Sequence, residues 1–541
     1  MTPRSSTSQP LSRDALSFAP AGMVPVLQQA TPFFTDLPPW VERAEQAGGA
    51  FLTMASLARL VYDTDACHLP GVTIDLDVMA PEMWSAVRSG HVEPDKAEYT
   101  YNGLRYGSTI GLVPQNLRGQ RKFKNYPPAE GEFRAKVSAA TDERVAAGRT
   151  IDLGEWSQGL WEAMKHIFQD FSIFPLGAQA KKGADAHKAR PTDNHTRTGF
   201  NGATDMDGLH HTLDTYNELA RVLEYGHMMA VTDVEAAFPM LPISPWVWPH
   251  FFHRCYPPGS TKLHLYCHIT GDFGTRGMPG VFKLFFVDVV TNMARAAKVL
   301  HAPIETYVND SAICGAHHKQ VNREMSSFQR WATLICGVIF KQSKDKPAAP
   351  VQLMLGFWWD SFLRTRTLEE SKFLAYADLL LQFSARTSLS LRERQQMAGK
   401  MQRAVMTMPP GAACLLSNLY SLMSGLQLNW QRKRTTAAER ADYRFFHDVM
   451  LLNKGRGYFS HDLFSEGDEV RSDASKQARY AGGGWCCSDG SYDWWKYGGR
   501  AARKLIDFLE GDTVVSCVER MGKHWRGKWI PFGVDNQAFQ R

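Results

Sequence analysis

Two aspartates, each at the end of a short apolar segment, constrain the fold of this chain more than any other feature. Asp233 closes the strand-like segment 227–234, and Asp310 lies beside Asn309 at the turn of a β-hairpin predicted over 304–315. Either aspartate alone is an ordinary turn or cap residue. Together, 77 residues apart, they predict two carboxylates on neighbouring strand ends, which is an arrangement that holds hard divalent cations.

The segments around these aspartates mix short strands with helices. From about residue 170, apolar runs alternate with Gly, Pro and Asp, and a glycine-rich loop at 271–280 precedes a segment at 281–290 that is apolar nearly all round, as in a buried helix. Further along, 371–430 carries apolar residues near helical spacing. The pattern predicts an α+β core followed by a helical subdomain.

Composition narrows the class of protein. The 541 residues carry a formal net charge of +6, and 44% hydrophobic with 21% charged residues is ordinary for a folded protein rather than a disordered, collagenous or coiled-coil one. Nine scattered cysteines favour a reducing compartment, and the longest apolar run falls short of a membrane span. We therefore expect an intracellular protein, in the cytoplasm or the nucleus, that is not bound to a membrane. Its small positive net charge is compatible with a nucleic-acid partner.

At this point five motifs, in order over roughly residues 170–375, resemble those of reverse transcriptases. They are Lys188–Asp193, one residue shorter than the fingers pattern [KR]-x-R-x-x-x-D that it resembles, Asp233–Phe238 for D-x-x-x-A-[FY], Phe273-Gly274 with Pro279 and Phe282 for [PQ]-[FQ]-G-x4-P-x-x-F, Tyr307–Asp310 for Y-x-D-D, and Leu355-Gly356-Phe357 with Lys372 for the primer grip. Any one of them is weak, but five in register make the resemblance strong.

The resemblance implies an α+β right-hand polymerase of fingers, palm and thumb, followed by a partial ribonuclease H-like α/β domain. The expected organisation is a disordered tail (1–37), a mainly helical or irregular segment (38–165), fingers and palm (166–370), a helical thumb or connection (371–465) and the ribonuclease H-like region (466–541).

An RNA-directed DNA polymerase is the activity that the resemblance implies. Asp233 would bind both of two Mg²⁺ ions, with Mn²⁺ as a substitute, and Asp310 would hold the catalytic one, with Asn309 beside it. The partners would be an RNA template, a DNA primer, their RNA–DNA hybrid and deoxynucleoside triphosphates.

Further residues would bind the incoming nucleotide. Arg190, with Lys182 or Lys188, would clamp the triphosphate, and Phe238 would lie under the sugar and exclude a 2′-hydroxyl.

Two more parts of the site follow from the same resemblance. Phe273 and Gly274 would pack against the nascent base pair, and Lys344 or Lys346 would protonate the pyrophosphate, the register between these two lysines being open.

The C-terminal region resembles the ribonuclease H domain of the same retroelements. Asp473 begins D-A-S, Asp535 begins D-N, and Glu510, with Asp512 as its rival, fits the helical acidic residue, so that Asp473, Glu510 and Asp535 would form a second metal site. These motif sequences are most similar to those of DIRS-like tyrosine-recombinase retrotransposons, and gypsy-like elements are the second choice. Because the sequence stops at Arg541, we expect this domain to be partial.

Asn309 departs from the family pattern, which has an aspartate at that position. A neutral amide is a poorer ligand for Mg²⁺ than a carboxylate, so catalysis would be impaired. The alternative is therefore a catalytically inactive, polymerase-like protein that binds nucleic acid.

Overall fold

The computed structural model describes residues 33–117, 123–180, 189–209, 215–408, 412, 415–459, 465–466, 469–477, 480–525, 528–530 and 532–534. The chain divides into two compact units, with the boundary between Phe362 and Leu363. Both units mix helices and strands, so the predicted α+β class is confirmed. In the described part, no helix is both long enough and apolar enough to cross a membrane.

The first unit begins with helices and continues with interleaved strands. Its helices are α1 (Trp40–Ala47), α2 (Leu52–Asp63), α3 (Leu76–Arg88), α4 (Pro94–Tyr106), α5 (Arg134–Ala146), α6 (Gln158–Ile167), α7 (His195–Thr198), α8 (Phe200–Ala203), α9 (Thr215–Val222), α10 (Met278–Phe282), α11 (Thr291–Ala296) and α12 (His318–Cys336). Its strands are β1 (Phe123–Asn125), β2 (Thr150–Glu155), β3 (Phe171–Phe174), β4 (Leu176–Ala180), β5 (Ala189–Asp193), β6 (Met228–Asp233), β7 (Phe252–Cys255), β8 (His264–His268), β9 (Ile304–Tyr307), β10 (Asp310–Gly315), β11 (Lys346–Ala349), β12 (Val351–Met354) and β13 (Phe357–Asp360).

Two larger sheets organise this unit. One has the strand order β1-β3-β7-β8-β2, and the other has the order β11-β6-β10-β9, in which every neighbouring pair is antiparallel. Helix α12 packs on the second sheet through Val321, Met325, Phe328 and Ala332, which are buried at helical spacing. The sheet is therefore rigid behind the strand ends that carry Asp233 and Asp310.

A buried helical segment links α10 to α11. Residues Lys283–Val290 form a π-helix whose apolar side chains are buried, except that of Val287, which is partly buried. The helix predicted from composition is thus confirmed, but its π-helical winding was not predicted. The two charges of the segment pair with each other, since Lys283 Nζ lies 2.9 Å from Asp288 Oδ2. This pair lets a charged helix run through the aromatic core, which includes Phe282 and Phe286.

The second unit holds a helical part and a small sheet. Its helices are α13 (Glu370–Ala385), α14 (Leu391–Ala404), α15 (Leu415–Ser421), α16 (Ala437–Asn453) and α17 (Ile506–Met521). Its strands are β14 (Thr365–Leu368), β15 (Ser388–Ser390), β16 (Arg432–Arg434), β17 (Arg456–Tyr458), β18 (Ser465–Glu466), β19 (Val470–Gln477), β20 (Tyr480–Cys487), β21 (Tyr492–Lys496), β22 (Lys528–Trp529) and β23 (Phe532–Gly533).

The last sheet has the strand order β21-β20-β19-β23. Strand β19 pairs antiparallel with β20 and parallel with β23, and α17 packs on β19 and β20. The helical segment predicted over 371–430 corresponds to α13 to α15.

Candidate functional site

Asp233 and Asp310 face each other across two antiparallel strands. Asp233 is the last residue of β6, Asp310 is the first residue of β10, and the two are direct register partners. Side chains directly opposite each other in such a pair have Cβ atoms about 5 Å apart. The structure thus brings the two carboxylates together at one end of the sheet, and Asp233 is only 4% exposed.

The hairpin turn is one residue earlier than its composition suggests. Tyr307 pairs with Asp310, so the two-residue turn is Val308-Asn309 and Asp310 already belongs to β10. Val308 has φ +56°, a left-handed conformation that costs a β-branched residue roughly 1–2 kcal/mol and is typical of the first position of a type II′ turn. Such strain persists only where surrounding contacts impose it.

Asn309 supplies those contacts. Its side-chain Nδ2 donates to Asp233 Oδ2 at 2.8 Å, and its main-chain carbonyl accepts from the amide of Val234 at 2.8 Å. The turn is therefore bound to the end of β6 through the residue that departs from the family pattern. An aspartate at this position would have no side-chain N–H to donate.

Lys344 binds the same carboxylate oxygen. Its Nζ donates to Asp233 Oδ2 at 2.6 Å, so one oxygen of Asp233 accepts from both an amide and an ammonium group. Lys346, at the start of β11, instead donates its Nζ to the carbonyl of Leu353 at 2.5 Å. The ammonium group of Lys344, one of the two candidate lysines, thus contacts Asp233 directly.

Burial raises the pKa of Asp310 to about 6, and the charge and hydrogen bonding of the adjacent Asp233 add to the increase, against Lys344 and Lys346. Two carboxylates held this close repel each other, and a divalent cation between them relieves that repulsion. The oxygen donors of Asp233 and Asp310 fit a Mg²⁺ or Mn²⁺ ion, and Asn309 adds a neutral amide where a third carboxylate would bind more strongly.

Phe238, five residues after Asp233 in the sequence, packs in an aromatic cluster. Phe238 is 6% exposed, and its ring centroid lies 4.9 Å from that of Phe273 and 6.1 Å from that of Phe282. Phe273 is 41% exposed. The two rings form an apolar surface, with its buried part formed by Phe238 and its accessible part by Phe273.

Gly274 is required by close contact with β5. A Cβ atom added at Gly274 would lie only 1.6 Å from the carbonyl oxygen of Asp193, so no other residue fits without movement of the backbone. This contact ties the 271–280 loop to the strand that contains Arg190. The side chain of Arg190 is not among those described, and Lys182 and Lys188 lie outside the described residues.

A buried polar network, which sequence reasoning missed, supports this contact. Arg144 Nη1 donates to His268 Nε2 at 2.9 Å and lies 3.4 Å from Asp193 Oδ2. Because Arg144 can only donate, His268 must carry its proton on Nδ1 and donate it to Thr150 Oγ1 at 2.6 Å. Asp193 and His268 are both nearly inaccessible to solvent.

The same network reaches the loop through Asp272. Its Oδ2 lies 2.6 Å from His195 Nε2, and its Oδ1 accepts from the amides of Gly274 and Thr275. The histidines of this network, His195 and His268, show no regular spacing in the sequence, so no pattern predicts that they belong to one site. In the sequence, the region was marked only by Asp193, which ends the fingers pattern, and by the 271–280 loop that contains Asp272.

The acidic residues of the C-terminal region are on different elements. Asp473 is exposed on β19, and the alternating burial of that strand places it on the face away from α17. Glu510 is buried on α17, Asp512 on the same helix interacts with Tyr497, and Asp535 lies outside the described residues. A metal site formed by Asp473, Glu510 and Asp535 stays a prediction.

Comparison with known proteins gives structural neighbours only. No family model matches the sequence, and no curated protein matches it. Among solved structures, a foamy viral protease-reverse transcriptase in complex with an RNA/DNA hybrid aligns with TM-score 0.46 and 13% identity, covering 80% of this chain and 52% of that one.

Two further structures of the foamy viral protease-reverse transcriptase also align. The dRH form in complex with double-stranded DNA has TM-score 0.47 and 14% identity, over 87% of this chain and 77% of that one. A complex with double-stranded DNA has TM-score 0.43 and 12% identity, over 85% of this chain and 90% of that one. The chain thus spans about half the length of the first of the three structures.

Proposed function

We propose that this chain is an RNA-directed DNA polymerase of retroelement origin. The observation that carries the proposal is the register of β6 and β10, which sets Asp233 directly opposite Asp310 at the strand ends where a two-metal nucleotidyl transfer needs its carboxylates. The motif resemblance favours a DIRS-like element, then a gypsy-like one.

The roles of the acidic pair follow from their geometry. Asp233 and Asp310 would hold two Mg²⁺ ions, which lower the pKa of the primer 3′-hydroxyl and neutralise the leaving pyrophosphate. Asp310 must be ionised to act as a ligand, and its raised pKa makes binding weaker below about pH 6. Asn309 orients Asp233 through its 2.8 Å hydrogen bond.

The aromatic surface would receive the incoming deoxynucleotide. Phe238 would lie under its sugar, where a rigid ring leaves no room for a 2′-hydroxyl, and the accessible Phe273 with Gly274 would pack on the nascent base pair. Arg190, with Lys182 or Lys188, would bind the triphosphate.

Lys344 has two functions in this proposal. Before substrate binds, its ammonium group balances the charge of Asp233 at 2.6 Å. During catalysis its half-exposed side chain would turn towards the pyrophosphate and donate a proton. The partners proposed are an RNA template, a DNA primer and the RNA–DNA hybrid that they form, and Asp473, Glu510 and Asp535 of the partial ribonuclease H-like region would act on the hybrid.

The alternative is a polymerase-like protein that binds nucleic acid without catalysis. The observation that favours it is that Asp233 Oδ2 already accepts hydrogen bonds from Asn309 and Lys344. The site has an amide where a third carboxylate would bind metal, and the charge of Asp233 is already partly neutralised by Lys344. The two functions differ in one measurable property, the extension of a primer.

Primer extension on an RNA template, with Mg²⁺ and with Mn²⁺, tests the proposal. We expect extension by the protein as written, and its loss in Asp233→Asn and in Asp310→Asn. Glu162→Gln, which changes an exposed carboxylate on α6, is the matched control and should extend normally. No extension with either metal would favour the alternative, and undiminished extension by Asp233→Asn would exclude this site.

A further inference from the structure

The sheet of the second unit has two different faces. Along β19, Val470, Ser472 and Ala474 are buried, whereas Arg471, Asp473 and Ser475 are exposed. The buried residues face α17, whose Leu509 and Cys517 complete two apolar clusters with them. Within the part of the chain that the structure describes, the face bearing Asp473 is accessible to solvent.

Aromatic side chains project from this accessible face. Tyr492 and Trp494 alternate along β21 and are 72% and 67% exposed. Trp485 and Trp495 point the other way and belong to the apolar cluster beneath α17. Of the three neighbouring tryptophans, Trp494 is thus the one that is presented to solvent.

Glycines beside these rings create a trough. Gly484 is the register partner of Trp494, and Gly482 is the partner of Lys496, so the middle strand contributes no side chain at either point. The resulting cavity has a volume of about 820 Å³ and is bounded by β19, β20 and β21. Its floor is the glycine backbone of β20, its β21 side is aromatic, and its β19 side carries Arg471, Asp473 and Ser475.

A basic side chain lies at each end of the trough. Arg471 lies in the same cross-strand row as Tyr492, through Cys486. At the other end, Lys496 Nζ lies 5.9 Å from the ring centroid of Tyr480, which is itself 66% exposed. The outward-facing strand positions hold these two cations and one carboxylate, Asp473. Asp493, which also lines the cavity, is paired with Arg520.

This chemistry fits unpaired bases better than a protein surface. The outward-facing positions of β19, β20 and β21 hold aromatic, cationic, small and polar residues and one carboxylate, Asp473, but no aliphatic residue. Aromatic rings two residues apart on one strand are about 7 Å apart, which suits successive bases of an extended strand, and flanking cations suit its phosphates.

We propose that this face binds single-stranded nucleic acid, with bases stacked on Tyr492 and Trp494 and phosphates at Arg471 and Lys496. The contacts are to base faces and backbone, so RNA and DNA share the recognition and little sequence preference is expected. The inference does not depend on the candidate polymerase site, since none of its residues belongs to the first unit, although the face also bears Asp473 of the proposed ribonuclease H-like site.

Photocrosslinking with the full chain tests the proposal at the level of residues. The probes are eight-nucleotide 5-iodouridine oligonucleotides, one of RNA and one of DNA. We expect both to crosslink to peptides containing Tyr492 or Trp494, and unlabelled single strands, but not duplex, to compete. The position of the crosslinked peptide in the sequence separates this site, in the second unit, from the candidate polymerase site in the first.

The double variant Tyr492→Ala with Trp494→Ala should weaken oligonucleotide binding at this site by on the order of 10- to 100-fold for each base that loses its stacking partner. Both side chains are exposed, so the fold should be retained, and Trp430→Ala, which removes a 74% exposed tryptophan elsewhere in the unit, is the matched control. No crosslink at 480–496, or equal binding by the double variant, would overturn the proposal. Loss of self-association in the double variant without any crosslink would instead identify a protein contact.

Discussion

At the scale of single residues, the candidate site depends on what surrounds Asp233. Its Oδ2 accepts from a neutral amide at 2.8 Å and from an ammonium group at 2.6 Å. Lys344 therefore occupies, in the free protein, the place of a counter-ion to the carboxylate. A metal ion has to compete with it.

Lys344→Met should accordingly tighten the binding of Mn²⁺ to the free protein by roughly fivefold, because a half-exposed ion pair of this kind is worth about 1 kcal/mol or less. Electron paramagnetic resonance of free Mn²⁺ during a titration measures the change. Lys319→Met, at the exposed start of α12, is the control. Unchanged or weaker Mn²⁺ binding would show that Lys344 does not compete with the metal.

Glu305 gives a prediction that concerns pH. Burial and the neighbouring Glu218 raise its pKa to about 7, against Arg295. Because the folded protein binds this proton more tightly than the unfolded chain, the resulting stabilisation is complete below the ordinary carboxyl pKa and is lost as the pH rises through about 7. After allowance for partial exposure, the effect is on the order of 1–2 kcal/mol.

Glu305→Gln cannot lose that proton. Its melting temperature, relative to the protein as written, should therefore rise between pH 5 and pH 8, as followed by differential scanning fluorimetry. Glu162→Gln, on an exposed helix face, should show no such trend. A difference that stays constant with pH would mean that Glu305 is ionised throughout this range.

At the scale of elements, the helices of the second unit are joined by a buried ion pair. Arg394 on α14 makes two hydrogen bonds, of 2.9 and 3.1 Å, to Glu439 on α16, and both side chains are almost fully inaccessible. Tyr443 donates to the same carboxylate at 2.9 Å. Such a pair aligns two helices, and its loss leaves an uncompensated charge in the interior.

Glu439→Gln should thus destabilise the second unit by about 3–5 kcal/mol, whereas replacing both partners by apolar residues, as in Arg394→Met with Glu439→Leu, should cost much less. Denaturant unfolding followed by circular dichroism measures both variants. Asp448→Asn, at an exposed pair on α16, is the control. Equal losses in the single and double variants would show that the pair aligns the helices rather than balancing buried charge.

At the scale of the whole molecule, local patterns predicted most of what surrounds the carboxylates. The segments 227–234 and 304–315 predicted β6 and the β9–β10 hairpin because alternation and turn residues act over a few positions. The turn itself was one residue off, since Val308 adopts a conformation that its side chain disfavours. Contacts of Asn309 with β6, distant in sequence, impose it.

Polar contacts between residues far apart in the sequence could not be predicted either, because no local pattern relates their positions. Arg144 and His268 are 124 residues apart, and no spacing rule relates them. The same holds for Lys344 and Asp233, 111 residues apart, where the sequence left the choice between Lys344 and Lys346 open. The faces of β19 were predictable only once α17 was known to cover one of them.

The most direct test of the account is the rate of single-nucleotide addition on an RNA template, compared between the protein as written and Asn309→Asp at equal Mg²⁺. Restoring a third carboxylate beside Asp233 and Asp310 should raise the rate by on the order of 100-fold or more, while binding of the primer and template, which depends on basic residues, should barely change. Equal rates would contradict the account, because they would show that Asp233 and Asp310 suffice and that Asn309 does not limit this site.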